Sequence, residues 1–166
     1  MKRIVASVIS VNVAIGLIGF LYIWWRSQDA SVVDLAALGA STDPALAEVL
    51  RTDAAGAAIT WWVLVIVGVA VCAFIWLVLA LRKAPATPEQ ARSSGLSWWL
   101  LLLLALGIAF GAGYQVYVNP AVAAAWRLTL VVGGLAIVPL AYFLSTAFGV
   151  KASMTPSVPF ASVLRR

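Results

Sequence analysis

The chain has 166 residues, of which 64% are hydrophobic and only 10% charged, with a formal charge of +5 and no histidine. Soluble domains carry roughly 45–50% apolar and 25% charged residues, so this composition excludes an ordinary water-soluble globule, and the length predicts a single domain over 1–166. Histidine-held haem, the usual zinc sites and histidine-based acid–base chemistry are excluded within the chain, and the single cysteine, Cys72, leaves no intrachain disulfide.

The first apolar run, 4–25, follows Met1-Lys2-Arg3 and ends in Tyr22-Ile23-Trp24-Trp25-Arg26. That aromatic, charged border is not a small-residue cleavage site, so the run reads as a retained membrane helix. Asn12 lies near its middle, where a carboxamide facing lipid would be costly. Gly16 and Gly19 follow at spacings of four and seven and share its face. A face that is small and polar packs closely against another helix, of this chain or of a partner.

The connection to the second run, roughly 32 residues, is the one sizeable extramembrane piece. Asp43 and Pro44 suit an N-cap and a first-turn proline. They open a short amphipathic helix whose apolar face carries Leu46 and Leu50, a cap over the bundle or a docking surface for a partner. The second run, 59–81, begins at Trp61-Trp62 and ends at Arg82-Lys83, followed by Pro85 and Pro88, which predict an irregular link.

The third run, 96–118, opens with Trp98-Trp99 and carries Gly107-x-x-x-Gly111, a small-residue pattern that marks a close helix contact without naming the partner. With Trp24 and Trp25, these tryptophan pairs sit at the predicted boundaries, where indoles anchor at headgroup level. Tyr114, Gln115 and Tyr117 reach toward headgroups, and a quinone or lipid headgroup site there is the sharper alternative. Asn119-Pro120 predicts a cap and first turn for the fourth run, 121–150, and so an antiparallel hairpin. Within that run Gly133 and Gly134 are packing positions, Pro139 predicts a bend, and Arg127 snorkels outward or pairs with an acidic residue. The tail, 151–166, is basic and contains Pro156 and Pro159, which predicts an extended segment that docks Val158 and Phe160 on a partner.

Charge sorts by connection. Lys2 and Arg3, then Arg82, Lys83 and Arg92 with Glu89, then Lys151, Arg165 and Arg166 make three net-positive segments. The first connection is net negative, with Asp29, Asp34, Asp43, Glu48 and Asp53 against Arg26 and Arg51. The positive-inside rule then places both termini in the cytoplasm of a four-span protein of a bacterial inner membrane. The same sorting accounts for the basic charge without nucleic acid, for which no basic stripe with aromatic platforms is present.

Chemistry is conspicuously thin. The predicted spans contain no carboxylate, as ion-coupled carriers usually require, and the sequence offers no Ser–His pair, paired carboxylates, phosphate loop or metal-ligand cluster. The expectation is an all-α, four-helix integral membrane protein with no catalysis and no cofactor of its own. Its predicted role is that of an accessory or structural subunit beside other integral membrane subunits and lipids, in a respiratory, photosynthetic, secretion or transport complex. Two alternatives are a small self-associating channel or carrier, whose path Asn12, Thr129 and the bend at Pro139 would line, and a lipid- or quinone-binding membrane module.

Overall fold

The computed structural model describes residues 2–29, 44–82, 87–119, 122–150 and 152–160. Five α-helices follow one another, α1 (Lys2–Ser27), α2 (Pro44–Arg82), α3 (Pro88–Ser93), α4 (Gly95–Val118) and α5 (Ala124–Gly149), and a 3-10 turn, η1 (Ala152–Ser157), comes after them. The four long helices are each long and apolar enough to cross a membrane. The architecture is an all-α bundle, consistent with a multi-pass membrane protein.

Cross-helix bonds fix the registers. Trp62 meets Gly16 and Arg51 meets Ser27, so α1 and α2 run antiparallel. Trp61 meets Ala109, which sets α2 against α4, and Ser7 meets Ser145, which sets α1 against α5. The end where α1 begins and α5 finishes is called proximal, the other distal. α2 and α5 each pack against the other three long helices, and α1 and α4 flank this central pair.

The burial pattern follows from that arrangement. α1 buries one stripe, Ile4, Val8, Asn12, Gly19 and Ile23, at the four-and-seven spacing of a single helix face. α4 does the same through Trp98, Leu102, Ala105, Ala109 and Val116. α2 has neighbours on three sides and buries a broad arc from Ala54 to Ala80. Large apolar side chains on the remaining faces, such as Ile18, Leu103 and Leu128, stay exposed, as lipid-facing residues do.

Four features differ from expectation. The short amphipathic helix and the second span are one helix, α2, of 39 residues. At a rise of 1.5 Å per residue it is about 58 Å long, twice the ~30 Å hydrocarbon thickness. Residues 45–58 are rich in alanine, leucine and other strong helix formers, so loss of hydropathy there ends the apolar stretch without ending the helix. Asp43, the expected cap, lies outside the described residues.

Second, the proximal link contains α3, whose first turn is capped by the Thr87 hydroxyl accepting from the Gln90 N–H at 3.3 Å, with Glu89 in that turn. Third, the tail is not extended over 152–160, and Val158 is buried within the chain. η1 packs against α3, with Met154, Ser157 and Val158 buried, and only Phe160 keeps a large exposed apolar surface. Proline blocks an α-helix here but tolerates the short turn, in which the Val158 N–H reaches the Thr155 carbonyl at 3.1 Å.

Fourth, Asn119 does not cap α5, whose N-cap is Ala123 with no side-chain bond. Its amide instead donates to Asp53 at 3.4 Å, across to α2.

Candidate functional site

Two regions of the bundle carry features beyond generic packing, and both involve α1 and α5. The first is a polar lacing at the proximal end. Asn12 Nδ2 donates to the Val8 carbonyl at 2.8 Å and to Ser145 Oγ at 2.9 Å. Ser7 Oγ donates to the Ser145 carbonyl at 2.8 Å, and Arg3 Nε to the Phe148 carbonyl at 3.1 Å. These three α1–α5 bonds all fall within residues 3–12 of α1 and 145–148 of α5. On the other side of α5, Trp98 Nε1 donates to Thr146 Oγ1 at 2.9 Å, and Tyr142 returns its hydroxyl to the Trp98 carbonyl at 3.2 Å, the two rings 5.0 Å apart. About two turns of α5, from Tyr142 to Phe148, are thereby tied to α1 and α4 together.

The chemical cause is desolvation. A polar group buried in an apolar medium without a partner costs several kcal/mol, so the buried Asn12, Trp98 and Tyr142 each find one across a helix contact, whereas Arg3 is exposed. Asn12 Oδ1 and Trp126 Nε1 are buried with no partner among the described residues. The Asn12 amide is oriented by its two donor contacts and leaves its acceptor unused.

Trp61, Trp62 and Trp98 are placed otherwise than expected for headgroup anchors. All three are buried, and Trp62 donates to the Gly16 carbonyl at 2.9 Å, level with the middle of α1, while Trp61 donates to the Ala109 carbonyl at 2.9 Å. Their placement follows from the length of α2. Because the helix starts well before its apolar run, residues 61 and 62 lie inside the bundle rather than at its edge. Trp24, Trp25 and Trp99 are exposed.

The second region is an apolar groove of about 450 Å³ toward the distal end, between α1 and α5, with Trp61 and Trp62 also lining it. Gly19 faces Trp62 so closely that a Cβ there would stand 2.0 Å from the indole, and Gly134 would bring one to 3.2 Å from Trp61. Gly133, also on the groove, has nothing within 4 Å. Thr129 turns its hydroxyl back to the Ala125 carbonyl at 2.9 Å, so the wall is carbon.

The remaining predicted residues divide sharply. Gly16 sits in ordinary contact with Ile66 of α2, whereas Gly107 and Gly111 have nothing within 4 Å and face away from the bundle. Pro139 lies inside α5 and withholds a donor from the Leu135 carbonyl. Leu46 is exposed, Leu50 half-buried, Val158 buried and Phe160 exposed.

At the distal end arginines serve the helix termini. Arg127 gives Nε to the Val122 carbonyl at 2.9 Å and a terminal nitrogen to the Tyr117 carbonyl at 3.0 Å, where the last turn of α4 leaves acceptors unfilled. Among the described residues its partners are these carbonyls and no carboxylate. Arg51 reaches the Ser27 carbonyl at 3.2 Å and Glu48 at 2.6 Å. The hydrogen bond from Arg51 holds the Glu48 carboxyl below its usual range, and Glu48 in return raises Arg51.

Among the described residues no three histidine, cysteine, aspartate or glutamate side chains come together as a metal site would need, and Cys72 is buried. Sequence pattern does not single out Ser7 or Trp98 for the proximal lacing. The depth of Asn12 is the available signal, because a polar residue there requires a partner on an antiparallel neighbour, and Ser145 lies at the matching height.

Comparison with protein families, with curated proteins and with solved structures finds no match.

Proposed function

We propose that the chain is a non-catalytic subunit of a multi-subunit assembly in a bacterial inner membrane, with both termini cytoplasmic. One observation carries this reading, the unoccupied face at Gly107 and Gly111. The close contacts inside the chain use glycine where a neighbour presses in, as Trp62 does at Gly19, Ile108 at Gly68 and Leu77 at Gly149. Gly107 and Gly111 form the same kind of surface, one turn apart on α4, with no neighbour within 4 Å. Helices in lipid associate through such surfaces because small residues let backbones approach and gain dispersion contacts. The net-positive connections support the orientation.

The test is purification of the tagged chain in mild detergent from cells expressing it at native level, with Gly107→Leu/Gly111→Leu beside the wild type. The wild type brings integral membrane partners in fixed ratio, and the double variant loses them while keeping its own thermal unfolding midpoint. Recovery of the wild type alone as a monodisperse monomer contradicts the proposal.

A further inference from the structure

The groove between α1 and α5 differs from the other apolar surfaces of the bundle in having an ordered sequence of chemistry along its length. Away from its distal mouth, the polar groups of its wall are already engaged. The Trp61 and Trp62 N–H groups are spent on Ala109 and Gly16 carbonyls, and Thr129 is bonded to its own helix. At its distal end the wall includes Tyr22, 40% exposed, and one turn further along the same face of α1 stands Arg26. Tyr22 and Trp25 make a tilted ring pair 6.4 Å apart beside it, the aromatic company found at headgroup level. Arg26 gives one terminal nitrogen to Asp29 at 2.8 Å. Such a surface pair is weak, and the fork retains further N–H donors for an anion.

We propose that this groove holds the hydrocarbon chain of a phosphate-bearing lipid, with the phosphate resting on Tyr22 and Arg26. The charge pattern matches that occupant, a neutral carbon slot with a cation and a phenol at its mouth. The size matches as well. If a methylene takes about the ~30 Å³ that a water takes, the groove of about 450 Å³ holds on the order of fifteen methylenes, one acyl chain. Water finds little to hold it along the slot, where the Trp61, Trp62 and Thr129 groups are already engaged. The site belongs to a single copy of the chain and is independent of the assembly proposed above.

The test uses the full chain reconstituted in vesicles of a phosphate-free glycosyl diacylglycerol containing a small fraction of phosphatidylglycerol with a photoactivatable diazirine on one acyl chain. Diacylglycerol carrying the same chain is the phosphate-free control. Labelling by the phosphatidylglycerol probe is expected at residues 15–23 and 129–140, several-fold above that at the exposed leucines of α4, Leu100 and Leu103. Gly133→Leu, which enters open space, lowers groove labelling several-fold and leaves α4 labelling unchanged. Arg26→Gln, a change at a partly exposed position, lowers labelling by phosphatidylglycerol to the diacylglycerol level. Competition by unlabelled phosphatidylglycerol or by a polyprenyl phosphate separates the two lipid sources, and displacement by either supports the site. Even labelling over all exposed helices, groove labelling indifferent to Gly133→Leu, equal labelling by the two probes, or displacement by neither competitor overturns it.

Discussion

The two ends of the α1–α5 contact are built from opposite materials. At the proximal end Arg3, Ser7 and Asn12 of α1 reach carbonyl and hydroxyl oxygens of α5. Toward the distal end the same two helices line a carbon-walled groove with indoles among its lining. Hydrogen bonds in an apolar medium fix distance and register closely, because a misplaced donor finds no water to replace its partner. Apolar walls fix neither, since lipid chains are as apolar as the side chains they displace. A helix pair made this way is closed at one end and receptive at the other.

The largest effect that sharpens this contrast is expected at Gly19. Gly19→Leu drives a side chain into the Trp62 ring, 2.0 Å from where a Cβ would stand, and costs about 3 kcal/mol, the upper end of ordinary overpacking. Gly133→Leu on the same groove meets nothing within 4 Å and leaves stability nearly unchanged. Thermal unfolding of the two variants in detergent compares them directly, and equal midpoints would mean that Trp62 does not pack on Gly19.

Next in size is the polar lacing. Asn12→Ala and Ser145→Ala each remove one side of a 2.9 Å bond. A double-mutant cycle on the pair is expected to give about 0.6 kcal/mol of coupling, the average for hydrogen bonds between membrane helices, and at most about 1.7. The same cycle on Asn12 and Thr129, which share no bond, is expected near zero.

The smallest effect is a pH dependence at the distal extension of α2. Glu48 titrates below its ordinary value of 4.5 because Arg51 donates to its carboxylate. The pair therefore helps hold the first turns of α2 at any pH above 4.5, and that help is lost as pH falls through the lowered value. A spin label at Ala47 is expected to gain mobility in acid below pH 4.5, and Glu48→Gln to abolish the change.

The spans are plain in the sequence because a charge-free apolar run long enough to cross a bilayer seldom occurs outside one. Asn12 is legible too, since a lone amide at that depth needs a partner. Hydropathy, however, reports the surrounding medium and not the backbone, so the continuation of α2 through Leu46 and Asp53 is invisible to it. The same misplaced boundary puts Trp61 and Trp62 at the membrane edge. Trp98 illustrates a second limit. An indole can anchor in headgroups or spend its N–H on a neighbouring helix, and Trp98 does the latter only because Thr146 of α5 arrives at its height. The tail escapes a sequence reading for a third reason. Proline argues against an α-helix but leaves a 3-10 turn open, and the surface that orders Met154 and Val158 is supplied by α3, itself hidden in a link expected to be irregular.

Cross-linking along the one helix pair tests the contrast most directly. In a Cys72→Ala background, cysteine pairs are placed at Ser7 with Ser145, where the Ser7 hydroxyl now lies 2.8 Å from the Ser145 carbonyl, and at Ile18 with Ile137 on opposite walls of the groove. Mild oxidation is expected to join the Ser7/Ser145 pair rapidly as a disulfide and to leave the Ile18/Ile137 pair open, the latter closing only with a longer bifunctional reagent. Equal disulfide formation at both pairs would contradict a contact that is closed at one end and open at the other.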